Sequence, residues 1–126
     1  MVEQILPQEN SASNKLPFAD AHCDFLYGMT YYDYDIQTVS GHQSMSLRNM
    51  AAGGVKLQFF AAWIDMLLKQ NPLSQCLNMI DSYYRMLESN PCFVPFSRDF
   101  DETQDKIATV LSLIHISEPT RQAEIS

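Results

Sequence analysis

Residues 55–64 read VKLQFFAAWI, and this run decides the fold class. It is too continuously apolar for a strand with one wet face and fits a strand covered on both faces, as in parallel sheets. Upstream, Gly53-Gly54 end a short helix predicted over Ser46 to Ala52, with Ser46 as its cap. Downstream, Asn71 caps a second helix with Pro72 at its first position. Leu73, Cys76, Leu77, Ile80, Tyr84 and Leu87 fall on one helical stripe, expected to face the core. That helix stops near Ser89, ahead of Asn90-Pro91.

Two further apolar runs complete the pattern. Leu16 to Cys23 suits a buried strand, and Lys106 to Leu111, KIATVL, begins another. Phe93 to Phe96 is a short extended piece, and the acidic SRDFDETQDK after it is a turn or short helix. Strand, helix, strand, helix, strand in this order predicts an α/β fold with parallel strands. Doubly wound sheets and β/α barrels share that local order, so it does not choose between them.

The totals fit one soluble domain. At 126 residues, 46% apolar and 18% charged, the chain can bury a core and is not of disordered composition. A net charge of −7, with eight Lys and Arg scattered singly, excludes a phosphate backbone or an anionic membrane surface as partner. Cys23, Cys76 and Cys92 lack paired spacing and read as reduced thiols, which with the absence of a secretory pattern at the N-terminus predicts a cytoplasmic protein. No run has the length of a transmembrane helix. Residues 1–15 are polar and are expected to form a flexible leader.

Chemistry concentrates in FADAHCDFLYGM, residues 18–29. In a strand, residues two apart share a face, so His22 and Asp24 present an imidazole nitrogen and a carboxylate oxygen side by side. Such a pair suits zinc or a similar divalent metal, and parallel α/β folds place their sites at strand C-termini, where it falls. By spacing alone, two incidental polar residues at a strand end are the more frequent explanation, by about two to one.

The wider pattern resembles a known family. LPFADAHCDFLYGM followed by SLRNMAAGGVKLQFFAAW is similar to the membrane (renal) dipeptidase family of zinc metallopeptidases. The resemblance rests on Asp20, His22 and Asp24, then Leu47, Arg48, Gly53, Gly54 and Val55, then Gln58, Phe59 and Phe60, with DKIATVLS as a third strand. It implies a (β/α)8 TIM-type barrel, present here as its N-terminal portion over residues 16–110 and truncated after about the third strand. It implies two zinc ions that hydrolyse dipeptides through metal-activated water. His22 and Asp24 would ligate one metal, and Asp20 would brace the strand end or a ligand. A homo-oligomer of the full-length parent is compatible with this.

Residues 111–126, LSLIHISEPTRQAEIS, depart from the family's Glu-Gly-Gly-like continuation. They resemble translated sequencing-adapter DNA, so native coding sequence is expected to end near Val110 or Leu111, and His115 and Glu118 carry no weight as ligands. The bridging glutamate, the second metal's histidines, the substrate-binding arginine and the late catalytic aspartate that the family implies fall beyond that point. The chain itself is therefore expected to be inactive.

Lesser signals have plain explanations. Asp99, Asp101 and Asp105 resemble a calcium loop, but Gln104 stands where the turn needs glycine, which leaves a solvated acidic turn. YYDYD, residues 31–35, follows the first strand and either lines a substrate mouth or packs as a surface loop. His42 reads as an ordinary loop residue, and Trp63 as core. The rival functions are another barrel metallohydrolase, acting on cyclic amides or phosphoesters, and a small non-catalytic α/β binding domain. Against the last, CDFLYGM offers only Gly28 where a phosphate loop needs several glycines.

Overall fold

A computed structural model of the protein describes residues 16–39, 42–101 and 103–113. Four strands, β1 (Phe18–Asp20), β2 (Val55–Ala61), β3 (Phe93–Pro95) and β4 (Ile107–Ser112), form one sheet in the order β1-β2-β4-β3. Every neighbouring pair is parallel. Parallel neighbours need crossovers: α1 (Phe25–Tyr31) and α2 (Leu47–Gly53) lie between β1 and β2, and α3 (Pro72–Ser89) follows β2, while the described residues between β3 and β4 form no helix. The parallel α/β class predicted from the 55–64 run is the one observed. No helix among the described residues is long and apolar enough to cross a membrane.

Local chemistry sets the helix ends. Ser46 Oγ accepts from the Asn49 N–H at 3.1 Å and starts α2; Gly54, at φ 91°, ends it in the left-handed region that a side chain disfavours. Asn71 Oδ1 accepts from Leu73 N at 2.8 Å and Ser74 N at 3.3 Å, so α3 begins at Pro72 as its caps require. At the other end the Asn90 side chain donates to the Met86 carbonyl at 2.9 Å, just before Pro91.

Three expectations need correction. The first strand spans Phe18–Asp20 rather than Leu16 to Cys23, because the Asp20 carboxylate accepts from the His22 backbone N–H and turns the chain out of the sheet. Phe25–Tyr31, for which the sequence predicts no element, is a helix; Phe25, Leu26 and Gly28 are its buried residues. The core face of α3 is Cys76, Met79, Tyr83 and Met86, together with Gln75 and Ser82. Leu73, Leu77 and Tyr84, expected inside, are 65%, 54% and 58% exposed.

Buried polar residues explain that rotation. Gln75 Nε2 donates to the carbonyls of Asp65 and Gln70, while its Oε1 accepts from Asp65 N at 2.8 Å. The Ser82 and Thr30 hydroxyls pair at 2.8 Å between α3 and α1. With partners in place, neither group pays the desolvation cost that would otherwise turn it to solvent. The core between helices and sheet centres on Phe60, which meets Tyr83 at 6.2 Å and Phe93 edge-on at 5.9 Å. Along β2, Gln58 and Phe60 are buried, whereas Leu57 and Phe59 on the opposite face are only half-buried, so the strand is not covered equally on both faces as expected.

Candidate functional site

Asp20 is the last residue of β1 and pairs in register with Gln58 of β2. Its Oδ2 accepts from Gln58 Nε2 at 2.9 Å and its Oδ1 from the His22 N–H at 3.4 Å. Beyond it the chain is irregular from Ala21 to Asp24, yet the sheet ladder persists one step further, since Ala61 N donates to the Cys23 carbonyl at 3.0 Å. His22 and Asp24 therefore flank a residue still anchored at the C-terminal end of the sheet.

Asp24 holds the N-cap position of α1, where an aspartate ordinarily accepts from the first free backbone N–H groups. Its side chain makes no such capping bond. The carboxylate faces His22 instead, with Asp24 Oδ1 3.1 Å from His22 Nε2; the two side chains are 57% and 44% exposed. The pairing expected from alternation along a strand is present, but a helix cap rather than strand pleating produces it.

These residues open onto a cavity of about 540 Å³, with Asp20, His22, Cys23 and Asp24 facing Tyr32 and Tyr34. Of YYDYD, Tyr32 and Tyr34 thus reach the mouth. Asp33 adopts φ 60°, and the Asp35 carboxylate accepts from the Gln37 N–H. His42 stays in the loop, where its carbonyl accepts from the Tyr34 hydroxyl at 2.8 Å. A cavity of similar size, about 550 Å³, lies against Phe18, Leu57 and Phe96, but its charged residues are Lys56 and Asp101, with no imidazole or thiol. Chemistry favours the first.

Tyr27 lines the same cavity, and nothing in the sequence marked it. Its hydroxyl donates to Asp65 Oδ2 at 2.5 Å, and its ring meets Trp63 edge-on at 5.2 Å and Tyr31 at the same distance. The hydrogen bond to Asp65 pushes the Tyr27 phenol well above its ordinary value and holds the Asp65 carboxyl below its own. Trp63 is 37% exposed, so it forms part of this aromatic wall rather than the core as expected. The Cys23 thiol, between the two candidate ligands, is pushed up to about 12 by burial first, with Asp20 and Asp24 adding to the effect against an opposing hydrogen bond from the Phe25 backbone. At neutral pH it is a protonated thiol.

The donor pair fits one side of a metal's coordination shell. Zinc holds nitrogen and oxygen ligands at roughly 2.0–2.2 Å, which sets neighbouring donors about 3 Å apart. The observed 3.1 Å lies at that spacing. No group of three or more His, Cys, Asp or Glu suited to a metal occurs among the described residues.

The family model for membrane dipeptidases, peptidase family M19, matches residues 6–117. The chain belongs to the membrane dipeptidase family. The match takes in every element of the sheet and the whole His22–Asp24 region, and it relates the chain to metal-dependent peptidases. No curated protein matches the chain.

Proposed function

We propose that the chain supplies the first ligands, His22 and Asp24, of the metal centre of a zinc-dependent dipeptidase. The observation that carries this is the 3.1 Å approach of His22 Nε2 to Asp24 Oδ1 at the C-terminal end of β1, on the rim of a cavity. Family membership supports the reaction class. The order β1-β2-β4 follows the chain, as successive strands of a (β/α)8 barrel do, and β3 is the short addition beyond them. Sites in that fold gather at the C-terminal face, where these residues lie.

When bound, zinc polarises the peptide carbonyl and lowers the pKa of its water. The chain's own residues have simpler tasks. His22 and Asp24 hold the metal, Asp20 fixes the backbone that carries His22, and Tyr27, Tyr32 and Tyr34 wall the space a dipeptide would enter. Asp24 is available because it forgoes the cap bond. A negative net charge suits a small-molecule substrate rather than nucleic acid. Two protein ligands among the described residues are fewer than the three that catalytic zinc sites use, so the 126-residue chain is expected to bind zinc weakly and not to turn over dipeptides.

Zinc titration of the purified chain, followed by the imidazole NMR signals, tests this. Saturable shifts at His22 that vanish in Asp24→Ala are the expected result. Shifts unaltered in Asp24→Ala, or confined to His42, sink the proposal. Zinc-dependent cleavage of dipeptides by the chain overturns the statement on turnover.

A further inference from the structure

Gln58 is a polar side chain with no exposed surface, at the middle of β2. A glutamine amide has two donors and one acceptor oxygen to satisfy, and burying one without partners is costly. Here only the donor end is used. Nε2 donates to Asp20 Oδ2 at 2.9 Å, to the Phe59 carbonyl at 3.2 Å and, at 3.5 Å, to the Asp20 carbonyl. Oε1 is buried and has no hydrogen-bond partner among the described residues.

The orientation is set by Asp20. Turning the amide over would set its oxygen against the carboxylate and two carbonyls, and oxygen facing oxygen is repulsive. Packing alone gives no reason for a glutamine at this place, because an apolar side chain of similar length would fill it with no orphaned acceptor. The neighbours on the row point the same way: Thr109, in register with Gln58, donates its hydroxyl to the Val94 carbonyl at 3.3 Å and lies 2.7 Å from the Tyr83 hydroxyl, so it supplies nothing to Oε1.

We propose that Gln58 is a positioning residue for the His22–Asp24 pair. It holds Asp20 Oδ2, Asp20 Oδ1 holds the His22 backbone N–H, and the His22 imidazole thereby meets Asp24. Without Gln58 the Asp20 carboxylate keeps only the long 3.4 Å bond and is free to rotate into the cavity it lines. The proposal's bearing on metal binding rests on the function proposed above; the coupling from Gln58 to His22 does not.

The test uses Gln58→Met, which keeps length and apolar bulk while removing the donor, together with Asp20→Ala and the double variant, all in the 126-residue chain. Amide hydrogen exchange at His22 is read without metal, and zinc alone is then titrated against the His22 imidazole signals. In Gln58→Met the His22 amide is expected to exchange about tenfold faster while α3 amides are unchanged. Zinc affinity falls about tenfold, as for other residues that orient a ligand. Asp20→Ala reproduces both losses, and the double variant adds nothing further, because one residue acts through the other.

A purely structural Gln58 would lower thermal stability and leave His22 exchange and zinc response unmoved, which overturns the proposal, as do losses that add in the double variant. If Gln58→Met does not fold, Asp20→Ala decides alone. Faster exchange at both the His22 amide and the Gln58 side-chain amide is then the supporting result, and no change at Gln58 the overturning one. Coupled exchange with no zinc response at His22 in any protein supports the positioning role and sinks the metal function.

Discussion

Tyr27 and Asp65 meet hydroxyl to carboxylate at 2.5 Å across 38 residues of sequence, tying α1 to the loop that leaves β2. The loop is fixed from the other side as well, since Gln75 of α3 bonds Asp65 through both its backbone N–H and carbonyl. Tyr31 adds a third tie through Gln70 Oε1. One wall of the candidate site is thus held in place by residues from two crossovers.

That bond makes a prediction about pH. The Tyr27 phenol lies above its ordinary 10.0 in the folded protein, so its stabilisation is complete below pH 10 and is lost as pH rises beyond it. The Asp65 carboxyl lies below its ordinary 3.8, so its share is present above that pH and is lost as pH falls through the folded value. Tyr27→Phe should lower the thermal midpoint at pH 7 and flatten the alkaline limb of the stability profile. On the acid side part of the slope should survive, because Asp65 also accepts from the Leu67 N–H at 2.9 Å. A Tyr27→Phe profile parallel to wild type above pH 10 contradicts this assignment.

Gly28 is a glycine inside a helix, where alanine would ordinarily gain about 1 kcal/mol. A Cβ there would stand 2.2 Å from Tyr34 Cδ2 and 2.5 Å from Cε2. The ring has little room to yield, being held at its far end by the His42 carbonyl. Overpacking of this kind costs about 1–3 kcal/mol, so the clash outweighs the propensity. Gly28→Ala should be less stable by roughly 1 kcal/mol in urea denaturation. Adding Tyr34→Ala should make the Gly28→Ala change neutral or favourable, whereas a loss that persists without the ring would point to the helix rather than the contact.

Zinc should stabilise the folded chain by linkage. At a free concentration about a hundredfold above its dissociation constant, a ligand bound only to the native state contributes roughly 2.7 kcal/mol. EDTA should return the melting curve to that of the metal-free protein. His22→Ala and Asp24→Ala should melt at one temperature with or without zinc, and Asp20→Ala should need more zinc for the same shift. Equal stabilisation of wild type and both variants would place the zinc elsewhere.

Features decided by neighbouring residues were legible in the sequence. Ser46, Asn71-Pro72 and Asn90-Pro91 act on backbone groups within a few positions, so the starts of α2 and α3 and the end of α3 fall where they are read. The His22–Asp24 pair was legible for the same reason, although spacing could not reveal that Asp24 is a helix cap. Features decided by distant partners were not. A seven-residue helix such as α1 is marginal by itself and exists because Phe25 and Leu26 are buried in the core. Tyr27 finds Asp65, and Gln58 finds Asp20, each 38 residues away. The face of α3 was misread because Gln75 and Ser82 are polar yet inside, and their partners lie in other elements.

The orientation of α3 yields the sharpest test of the fold. Met79 has no exposed surface, while Leu77, two positions away on the same helix, is 54% exposed. Truncating a fully buried methionine removes its transfer free energy and leaves a cavity, at a cost of about 2–5 kcal/mol. A half-exposed leucine away from such features changes stability by about 0.5 kcal/mol or less. Alanine has equal or better helix propensity than either, so propensity does not blur the comparison. Met79→Ala should therefore shift the urea midpoint strongly and Leu77→Ala hardly at all, with unchanged denaturant slopes showing that both remain two-state. The stripe of Leu73, Leu77 and Tyr84 expected from the sequence predicts the reverse order, so the pair of variants decides which side of the helix faces the sheet.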